Sequence, residues 1–434
     1  MGTTTRLALD QKLSESIGDF IEVDTTTNIT TNQYIVSTAL NEYDLASDDY
    51  FNEWWVYITE GNNSGILRRI SDYTTSTGRL TVYGASLSAE AGAVTIRVYR
   101  YGRTNKLLAI DRAIEEIYPS LYKALDDSTL VTGNILPNSH FEDQTTAGTP
   151  DKYTLSNVTG SVAQRFPGRR ALKLIATAGN GYAYITSRDY PPLLDLMNKT
   201  VSFRAWAYPE MANDAFLTIY TVKADGTAQT LNSTTACPAV NWTLLELKDQ
   251  AINDDIVEIE FRFRVLTNTK YAIFDGARAI GGQNYEHLLP NDFEAGNLLQ
   301  VYVQSAGQTE YACDELQPKY WERVYGFEIT DNSSDKFLRL PHLYPDEHRI
   351  RLIGHRRLED LSSDTDTICI DGEAVNLLIA YAKYKLYQMA QDLPASEDIS
   401  RYESAVAKAY AEYRRLLTNL KMREPPRTMK LPSY

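Results

Sequence analysis

The chain has 434 residues, of which 43% are hydrophobic and 23% charged, a balance typical of folded globular domains and unlike that of disordered chains. Its length predicts about two to four domains. The formal net charge of −14 excludes a surface devoted to nucleic-acid phosphates, because such surfaces need clustered Lys and Arg. We therefore expect DNA only as passing cargo.

The start of the chain, Met1 to Arg6, is not followed by an apolar run, and no stretch approaches the roughly 20 apolar residues that cross a bilayer. We expect neither a secretory signal nor a membrane anchor, and no membrane partner. Cys237, Cys313 and Cys369 are odd in number and widely spaced, which favours free, buried thiols in a reducing compartment.

The first hundred residues predict one short helix and then strands. Leu9, Leu13 and Ile17 recur every four residues, which indicates a helix that ends at Gly18. From Phe20 to Tyr101 period-two stretches are separated by turn-forming Gly, Asn and Ser residues. This pattern predicts a small antiparallel barrel or sandwich.

The middle of the chain predicts a second helix followed by a two-sheet sandwich. One apolar stripe indicates a helix of about five turns from Leu107 to Leu125, which Pro119 should kink or break. Strands then continue from Leu130 to Gly282 with cleanly alternating faces, as a sandwich requires. A third β-rich stretch is expected from Leu299 to Ile353.

The last sixty residues predict two helices and an extended arm. The second helix, capped by Ser396, carries an apolar seam typical of a helix bundle. The seam residues are Ile399, Tyr402, Val406, Ala409, Tyr413, Leu416 and Leu420. Proline then forbids helix and leaves a basic arm, which is either disordered or docked on a partner. The arm residues are Arg423, Pro425, Pro426, Arg427, Lys430 and Tyr434.

The segments 134–142 and 271–278 have the sequences NILPNSHFE and YAIFDGAR. Together with the strand at 168–174 they resemble the first, last and an intermediate strand of jelly-roll carbohydrate-binding modules. The resemblance implies a structural calcium held by Glu142 and Asp275, although Gly276 stands where the family has a second Asp. It also implies glycan contacts, for which the candidates are Tyr182, Tyr184, Tyr208 and Tyr220.

Two other segments resemble parts of tailed-bacteriophage virion proteins. The stretch from Asp49 to Ile58, with the turns and strands up to Val82, is similar to a small barrel that recurs in such proteins. The segment 361–367 and the helix behind Asp371 look like the helical end of siphophage head-to-tail adaptor (neck or connector) proteins. The latter resemblance implies an oligomeric ring that binds the portal.

Catalytic motifs are lacking in the sequence. The five histidines show no metal-binding spacing, and neither a nucleophile elbow nor a phosphate loop occurs. The carboxylate pairs Asp254–Asp255 and Asp364/Asp366 are interpreted as turn and cap residues rather than as glycosidase acids. We therefore predict a protein that is not an enzyme, with no catalytic residues and no required cofactor.

The predicted fold class is mixed and mostly β. It comprises a small N-terminal β-barrel, a central antiparallel jelly-roll β-sandwich, and an α-helical bundle formed by one mid-chain helix and two C-terminal helices. The expected regions are 1–127, the jelly-roll insertion 128–285, a β-rich return segment 286–370, and the helices and tail 371–434. Regions 1–127 and 288–434 should pack together as one base, from which the jelly roll projects.

The predicted function is that of a structural virion protein, a head-to-tail adaptor ring in the neck of a tailed phage, assembled in the host cytoplasm. Its expected partners are the portal protein, a tail or second neck protein, and further copies of itself in a twelve-fold ring. The alternatives are a tail-fibre or receptor-binding component that recognises host surface glycan, and a polysaccharide depolymerase.

Overall fold

A computed structural model describes residues 2–30, 32–163, 170–233, 237–238, 240–282, 284–305, 321–332, 335–391 and 399–423. The chain divides into two compact units, the first formed by Met1–Lys123 with Arg357–Tyr434 and the second by Ala124–Arg356. Among the described residues, strands outnumber helices in both units, so the mixed, mostly β fold class is confirmed.

The helices are α1 (Arg6–Ser16), α2 (Arg103–Glu116), α3 (Gly372–Gln391) and α4 (Ile399–Arg423). The strands of the first unit are β1 (Thr4–Thr5), β2 (Ile21–Asp24), β3 (Tyr34–Val36), β4 (Trp55–Ile58), β5 (Leu67–Thr74), β6 (Arg79–Val82), β7 (Thr95–Tyr99) and, after the second unit, β25 (Thr367–Ile368). None of the helices within the described ranges is both long and apolar enough to span a bilayer.

The strands from residue 123 to residue 356 are β8 (Lys123–Val131), β9 (Thr154–Ser156), β10 (Val158–Ala163), β11 (Ala171–Ala176), β12 (Gly181–Thr186), β13 (Thr200–Pro209), β14 (Ala215–Lys223), β15 (Ala228–Asn232), β16 (Thr243–Ala251), β17 (Ile256–Val265), β18 (Tyr271–Ile280), β19 (Glu286–Leu288), β20 (Leu298–Gln304), β21 (Trp321–Val324), β22 (Glu328–Asn332), β23 (Asp335–Arg339) and β24 (Arg349–Arg356).

Six strands of the first unit form one antiparallel, barrel-like sheet in the order β2-β7-β4-β5-β6-β3. Its apolar residues, among them Phe51 and Tyr73, are buried together in a core of their own. The turn between β5 and β6 requires glycine: Gly78 has a φ of +63°, and a Cβ on it would lie 2.2 Å from the carbonyl oxygen of Ser37. The predicted small N-terminal β-domain is therefore present.

The helices of the first unit share a second core. Residues of α1, α2, α3 and α4 contribute to one buried cluster, so the bundle also includes the N-terminal helix, which the prediction had left out. On α4 the seam residues Ala409 and Tyr413 are buried, and Leu416 and Leu420 are half-buried against the cluster that contains Tyr413. Val406 is half-buried outside this cluster, and the side chains of Ile399 and Tyr402 lie outside the described residues.

The predicted helix from Leu107 to Leu125 is wrong at both ends. The helix α2 begins at Arg103 and ends at Glu116, and β8 begins at Lys123. Pro119 explains the early end, because proline lacks an N–H for helix bonding and disfavours helical backbone in the residue before it. Leu125 continues the apolar spacing but is buried in a different core, among strands of the second unit.

The second unit contains a sandwich of two five-stranded antiparallel sheets, in the orders β10-β11-β18-β13-β16 and β15-β14-β17-β12-β9. Alternate residues of β13 and β17 are buried, as a two-sheet core requires. Phe203, Phe261, Phe263 and Phe274 meet edge to face in the middle, with ring centroids 5.0 to 5.5 Å apart. The predicted jelly-roll sandwich is present.

Residues 286–356 of the return segment belong to the second unit rather than to the predicted base, whereas residues 357–370 belong to the first unit. Strand β8, which precedes the sandwich in the chain, forms a four-stranded sheet in the order β21-β20-β24-β8, and β19, β23 and β22 form a three-stranded sheet. Arg204 on β13 also forms an ion pair with Glu347. The prediction that the start and the end of the chain form one base is therefore confirmed for 1–123 and 357–434, and it is wrong for 288–356, which lie in the second unit.

Two groups of predictions fall wholly or partly outside the described residues. Of the basic arm only the backbone of Arg423, the last residue of α4, is described, so the arm and its docking on a portal stay predictions. Cys237 is buried and Cys369 half-buried, both as free thiols, whereas Cys313 lies outside the described ranges.

Candidate functional site

The outer side of the sheet β15-β14-β17-β12-β9 carries an unusual set of polar and aromatic side chains. On β17 the inward residues are apolar, whereas Glu258, Glu260, Arg262 and Arg264 alternate with them and point to the other side. A strand in the middle of a sheet therefore presents four charged groups in a row on one face.

Three tyrosines flank this row. Tyr182 and Tyr184 lie on β12, opposite Arg264 and Arg262, and Tyr220 lies on β14, opposite Glu260. The Tyr182 and Tyr184 rings are 5.5 Å apart between centroids. All three side chains are half-buried, so their rings remain accessible. We call the outward side chains of β12, β14 and β17 the tyrosine face.

Arg262 contacts the other central side chains of the tyrosine face. Its Nε donates to Oε2 of Glu260 over 2.6 Å, and its guanidinium lies 4.0 Å from the ring centroid of Tyr220 and 4.9 Å from that of Tyr182. The ion pair is mostly sheltered, with 19% of the arginine and 12% of the glutamate side chain exposed. The central charged groups are therefore held in fixed positions between aromatic rings.

Glu258 closes one end of the row. Its Oε1 accepts a hydrogen bond from Thr186 Oγ1 over 3.1 Å, and its Oε2 accepts one from Nη2 of Arg188 over 2.7 Å. Both glutamates of the face thus have an arginine partner. Burial, followed by the nearby charge of Glu260, raises the pKa of Tyr184, so its hydroxyl stays protonated and able to donate at neutral pH.

Arg264 lies at the other end of the row, between Tyr182 on β12 and Phe216 on β14. Its Nη1 donates to Thr218 Oγ1 over 3.4 Å and to Asn232 Oδ1 over 3.2 Å, and its Nη2 donates to Asn180 Oδ1 over 3.2 Å. Burial and the neighbouring Arg262 lower the pKa of this guanidinium, which nevertheless remains charged.

The fourth candidate tyrosine, Tyr208, is elsewhere. It lies on β13 in the opposite sheet and faces outward beside Trp242, with ring centroids 5.7 Å apart. Three of the four predicted glycan-binding tyrosines are therefore brought together, and the fourth is not. The charged members of the face were missed, although the alternation in IVEIEFRFRV at 256–265 places all four on one side of a strand.

The residues expected to hold calcium make hydrogen bonds and close contacts within the protein. Glu142 Oε1 accepts from the backbone N–H of Arg170, whereas the wholly buried Asp275 accepts from the N–H of Gly276 and lies 3.5 Å from His140 Nδ1. Across the described ranges, no group of three or more His, Cys, Asp and Glu side chains is placed to hold a metal ion. Calcium needs several oxygen ligands at once, and the site at Glu142 and Asp275 stays a prediction from the family resemblance.

The other charged candidates have structural partners. Asp254 and Asp255 lie in a turn, as expected, and Asp255 pairs with Lys223. Asp364 pairs with Arg103, and Asp366 accepts the backbone N–H groups of Ser362 and Ser363. These contacts favour the interpretation of the carboxylates as structural residues.

Comparison with known proteins gives a likeness of fold only. No family model matches the sequence, and neither does any curated protein. The C-terminal family 22 carbohydrate binding module of Clostridium thermocellum Xyn10B is 16% identical, with a TM-score of 0.30, over 35% of this chain and 98% of that one. The CBM22-1 xylan-binding domain of Paenibacillus barcinonensis Xyn10C is 15% identical, with a TM-score of 0.28, over 36% and 96%.

A phage structure is among the other similar ones. The enzymatically active domain of bacteriophage CBA120 tailspike protein 4 is 12% identical, with a TM-score of 0.26, over 35% of this chain and 22% of that one. Likenesses this low do not transfer a function. The function is therefore inferred from the geometry of this chain's own residues.

Proposed function

We propose that the jelly-roll sandwich of this protein binds carbohydrate on the tyrosine face, without chemical conversion of the sugar. The observation that carries the proposal is the juxtaposition of Tyr182, Tyr184 and Tyr220 with fixed charged groups on one accessible side of a sheet. Ligand sites commonly combine aromatic walls with a few precisely placed polar groups, and this face has both.

The chemistry of the face suits a sugar ring. A pyranose has an apolar C–H surface, which stacks on a tyrosine ring, and a rim of hydroxyls that both donate and accept hydrogen bonds. Glu260 supplies acceptors and Arg262 supplies donors, and their mutual ion pair holds both in place before a ligand arrives. Because little side-chain freedom remains to be lost, binding costs less conformational entropy.

The same contacts favour binding over hydrolysis. Glycosidases need one carboxyl group kept protonated as an acid and a second one free to act as base or nucleophile. On the tyrosine face, Glu258 and Glu260 each accept a hydrogen bond from an arginine, at 2.7 and 2.6 Å, so both carboxylates are already paired with a guanidinium. Two arginine-paired carboxylates suit recognition of hydroxyls rather than proton transfer.

A carbohydrate-binding face bears on the biological setting. Within the predicted tailed-phage particle, glycan binding suits the tail-fibre or receptor-binding alternative better than the adaptor ring, because a neck protein that joins portal to tail needs no sugar site. The adaptor function, its ring and its portal contact stay predictions from the sequence, as does the location in a virion.

The experiment is a glycan-array screen of the full chain, followed by titration calorimetry with the best ligand. We expect Tyr220→Ala and Tyr182→Ala each to weaken binding by about 10-fold or more, since buried aromatic anchors dominate such interfaces. Tyr208→Ala is the matched control, because it removes the same side chain from the opposite sheet. Equal loss in all three variants, or no glycan bound by the wild type, would overturn the proposal.

A further inference from the structure

The arginines on the outer sides of the sandwich differ in their partners. Arg188 pairs with Glu258, Arg204 with Glu347 and Arg262 with Glu260. Arg264 has no such partner among the described residues, where its polar contacts are the neutral oxygens of Thr218, Asn232 and Asn180. Its positive charge is therefore left without a counter-charge on a half-buried face.

The guanidinium of Arg264 has N–H donors that its contacts with the protein do not use. A guanidinium has five N–H donors in a planar fork, and the three contacts of Arg264 are made through Nη1 and Nη2 at distances of 3.2 to 3.4 Å. Hydrogen bonds between charged groups are normally shorter, at about 2.7 to 2.9 Å, so these contacts are weak. An incoming anion could replace them with stronger ones.

The aromatic neighbours of Arg264 define what kind of anion would fit. Tyr182 and Phe216 are its direct cross-strand neighbours, so a ring bound in this row would lie beside aromatic side chains and next to the guanidinium. The charge of Arg262 adds to the positive potential, since it already lowers the pKa of Arg264. A flat carboxylate attached to a sugar ring meets both requirements, whereas a neutral sugar leaves the charge unused.

We infer that the tyrosine face recognises an acidic polysaccharide, with the carboxylate of a uronic acid bound to Arg264. This inference rests on the proposed function and narrows it to a class of ligand. The carboxylate forms a charge-assisted, bidentate pair with the guanidinium, while neighbouring sugar rings lie along Tyr182, Tyr184 and Tyr220.

The test compares acidic polysaccharides with their own neutral forms. Polygalacturonate, alginate and hyaluronate are titrated into the full chain beside carboxyl-reduced samples of each, in which the uronate becomes the corresponding neutral sugar. We expect at least one acidic form to bind about 10-fold or more tightly than its reduced form. The preference should shrink as salt rises from about 0.05 to 0.5 M, because salt screens the charges.

Variants then assign the preference to one side chain. Arg264→Gln should remove the preference, so that the acidic and reduced forms bind within about 2-fold of each other. Arg264→Lys keeps the charge but loses the planar fork, so it should retain part of the preference. Lys173→Gln is the matched control, because it removes one positive charge from the outer side of the opposite sheet. Unfolding midpoints of all variants show that each one folds.

The outcomes separate the two proposals. Equal binding of acidic and reduced forms, or binding only of neutral glycans on the array, overturns the uronate inference and leaves carbohydrate binding standing. Loss of the preference in Lys173→Gln as large as in Arg264→Gln assigns it to overall charge and also overturns the inference. Binding of no glycan at all overturns the proposed function itself.

Discussion

The charged residues of β17 in the jelly roll lie in a different environment from those of the helices in the first unit. In the jelly roll the core is apolar throughout its central layer, and the charged residues of β17 stand on the outer side, where Arg262 and Arg264 are half-buried and Glu258 and Glu260 are buried. In the first unit, Asp10 of α1, Asp19 behind α1, and Arg103 and Lys106 of α2 are all buried. The two arginines of β17 are thus partly accessible to a ligand, whereas these charged groups of the first unit are enclosed.

The enclosed charges of the first unit are matched to one another. Arg103 lies 2.8 Å from Asp10 and 2.7 Å from Asp364, and Lys106 lies 3.1 Å from Asp19 and over the ring of Tyr99. Burial lowers the pKa of Arg103, but the charge and hydrogen bond of Asp10 outweigh it, so the pKa is raised. For Lys106 burial dominates and the pKa is lowered.

Burial therefore distinguishes charged groups that stabilise the fold from charged groups that a ligand can reach. The two groups of a buried ion pair bind each other and are not accessible to a ligand. Removing one of them lowers the free energy of unfolding. A half-exposed charge that is held in place can exchange its weak contacts for those of a ligand. We therefore expect core substitutions in both units to lower the free energy of unfolding strongly, and substitutions on the tyrosine face to lower it little.

The largest effect is expected in the apolar core of the jelly roll. Phe263 is fully buried and contacts the rings of Phe141, Phe203 and Phe274. Phe263→Ala should lower the free energy of unfolding of this unit by about 4 kcal/mol, because it removes buried surface and leaves a cavity. Native-state hydrogen exchange of the β17 amides measures the change.

Val257→Ala is the control for that variant. Val257 is on the same strand but 56% exposed, so its truncation should cost less than about 0.5 kcal/mol. Similar losses in both variants would mean that the strand is not packed as the alternation of β17 indicates.

The next effect is expected in the charged core of the first unit. Asp10→Ala leaves Arg103 buried with one counter-charge fewer, and should lower the free energy of unfolding of this unit by about 3 kcal/mol. The matched control is Arg357→Ala, which breaks the exposed ion pair with Asp360 and should cost less than about 0.5 kcal/mol. Denaturant titration of the full chain compares them, and equal costs would remove the distinction between the two kinds of charge.

A smaller effect on stability is expected from the titration of His287, which is buried on β19. Burial lowers the pKa of His287 from 6.5 to about 4, and its Nε2 has no hydrogen-bond partner among the described residues. The unfolded chain therefore takes up this proton at a higher pH than the folded chain does. Stability from this group is complete above pH 6.5 and is lost as the pH falls toward 4.

The measurement is the difference in unfolding free energy between the wild type and His287→Leu, at pH 7 and at pH 5. The two pKa values predict that the difference shifts by about 2 kcal/mol in favour of the variant at the lower pH. Burial also raises the pKa of Asp143 to about 6, which acts in the opposite direction but equally in both proteins. An unchanged difference would show that His287 is accessible to solvent.

Only part of the tyrosine face can be predicted from the sequence. Tyr182, Tyr184 and Tyr220 were named from a family resemblance, and strand alternation was enough to put Tyr182 and Tyr184 on the same side of β12. That Tyr220 belongs with them, and Tyr208 does not, depends on which strands pair with β17. Strand order is set by contacts between residues far apart in the chain, which periodicity does not encode.

Short-range sequence patterns are enough to predict the local features of this protein. The alternation of β13 and β17, the stripe of α2 up to Glu116 and the apolar spacing on α4 follow from short-range periodicity, which fixes the side of an element that must leave water. The tertiary structure alone decided which elements share a core. It placed residues 286–356 in the jelly-roll unit, added α1 to the bundle and left Arg264 without a carboxylate partner among the residues that the structure describes. The physical reason is that pairing between distant strands and helices minimises exposed apolar surface over the whole unit, not over any single segment.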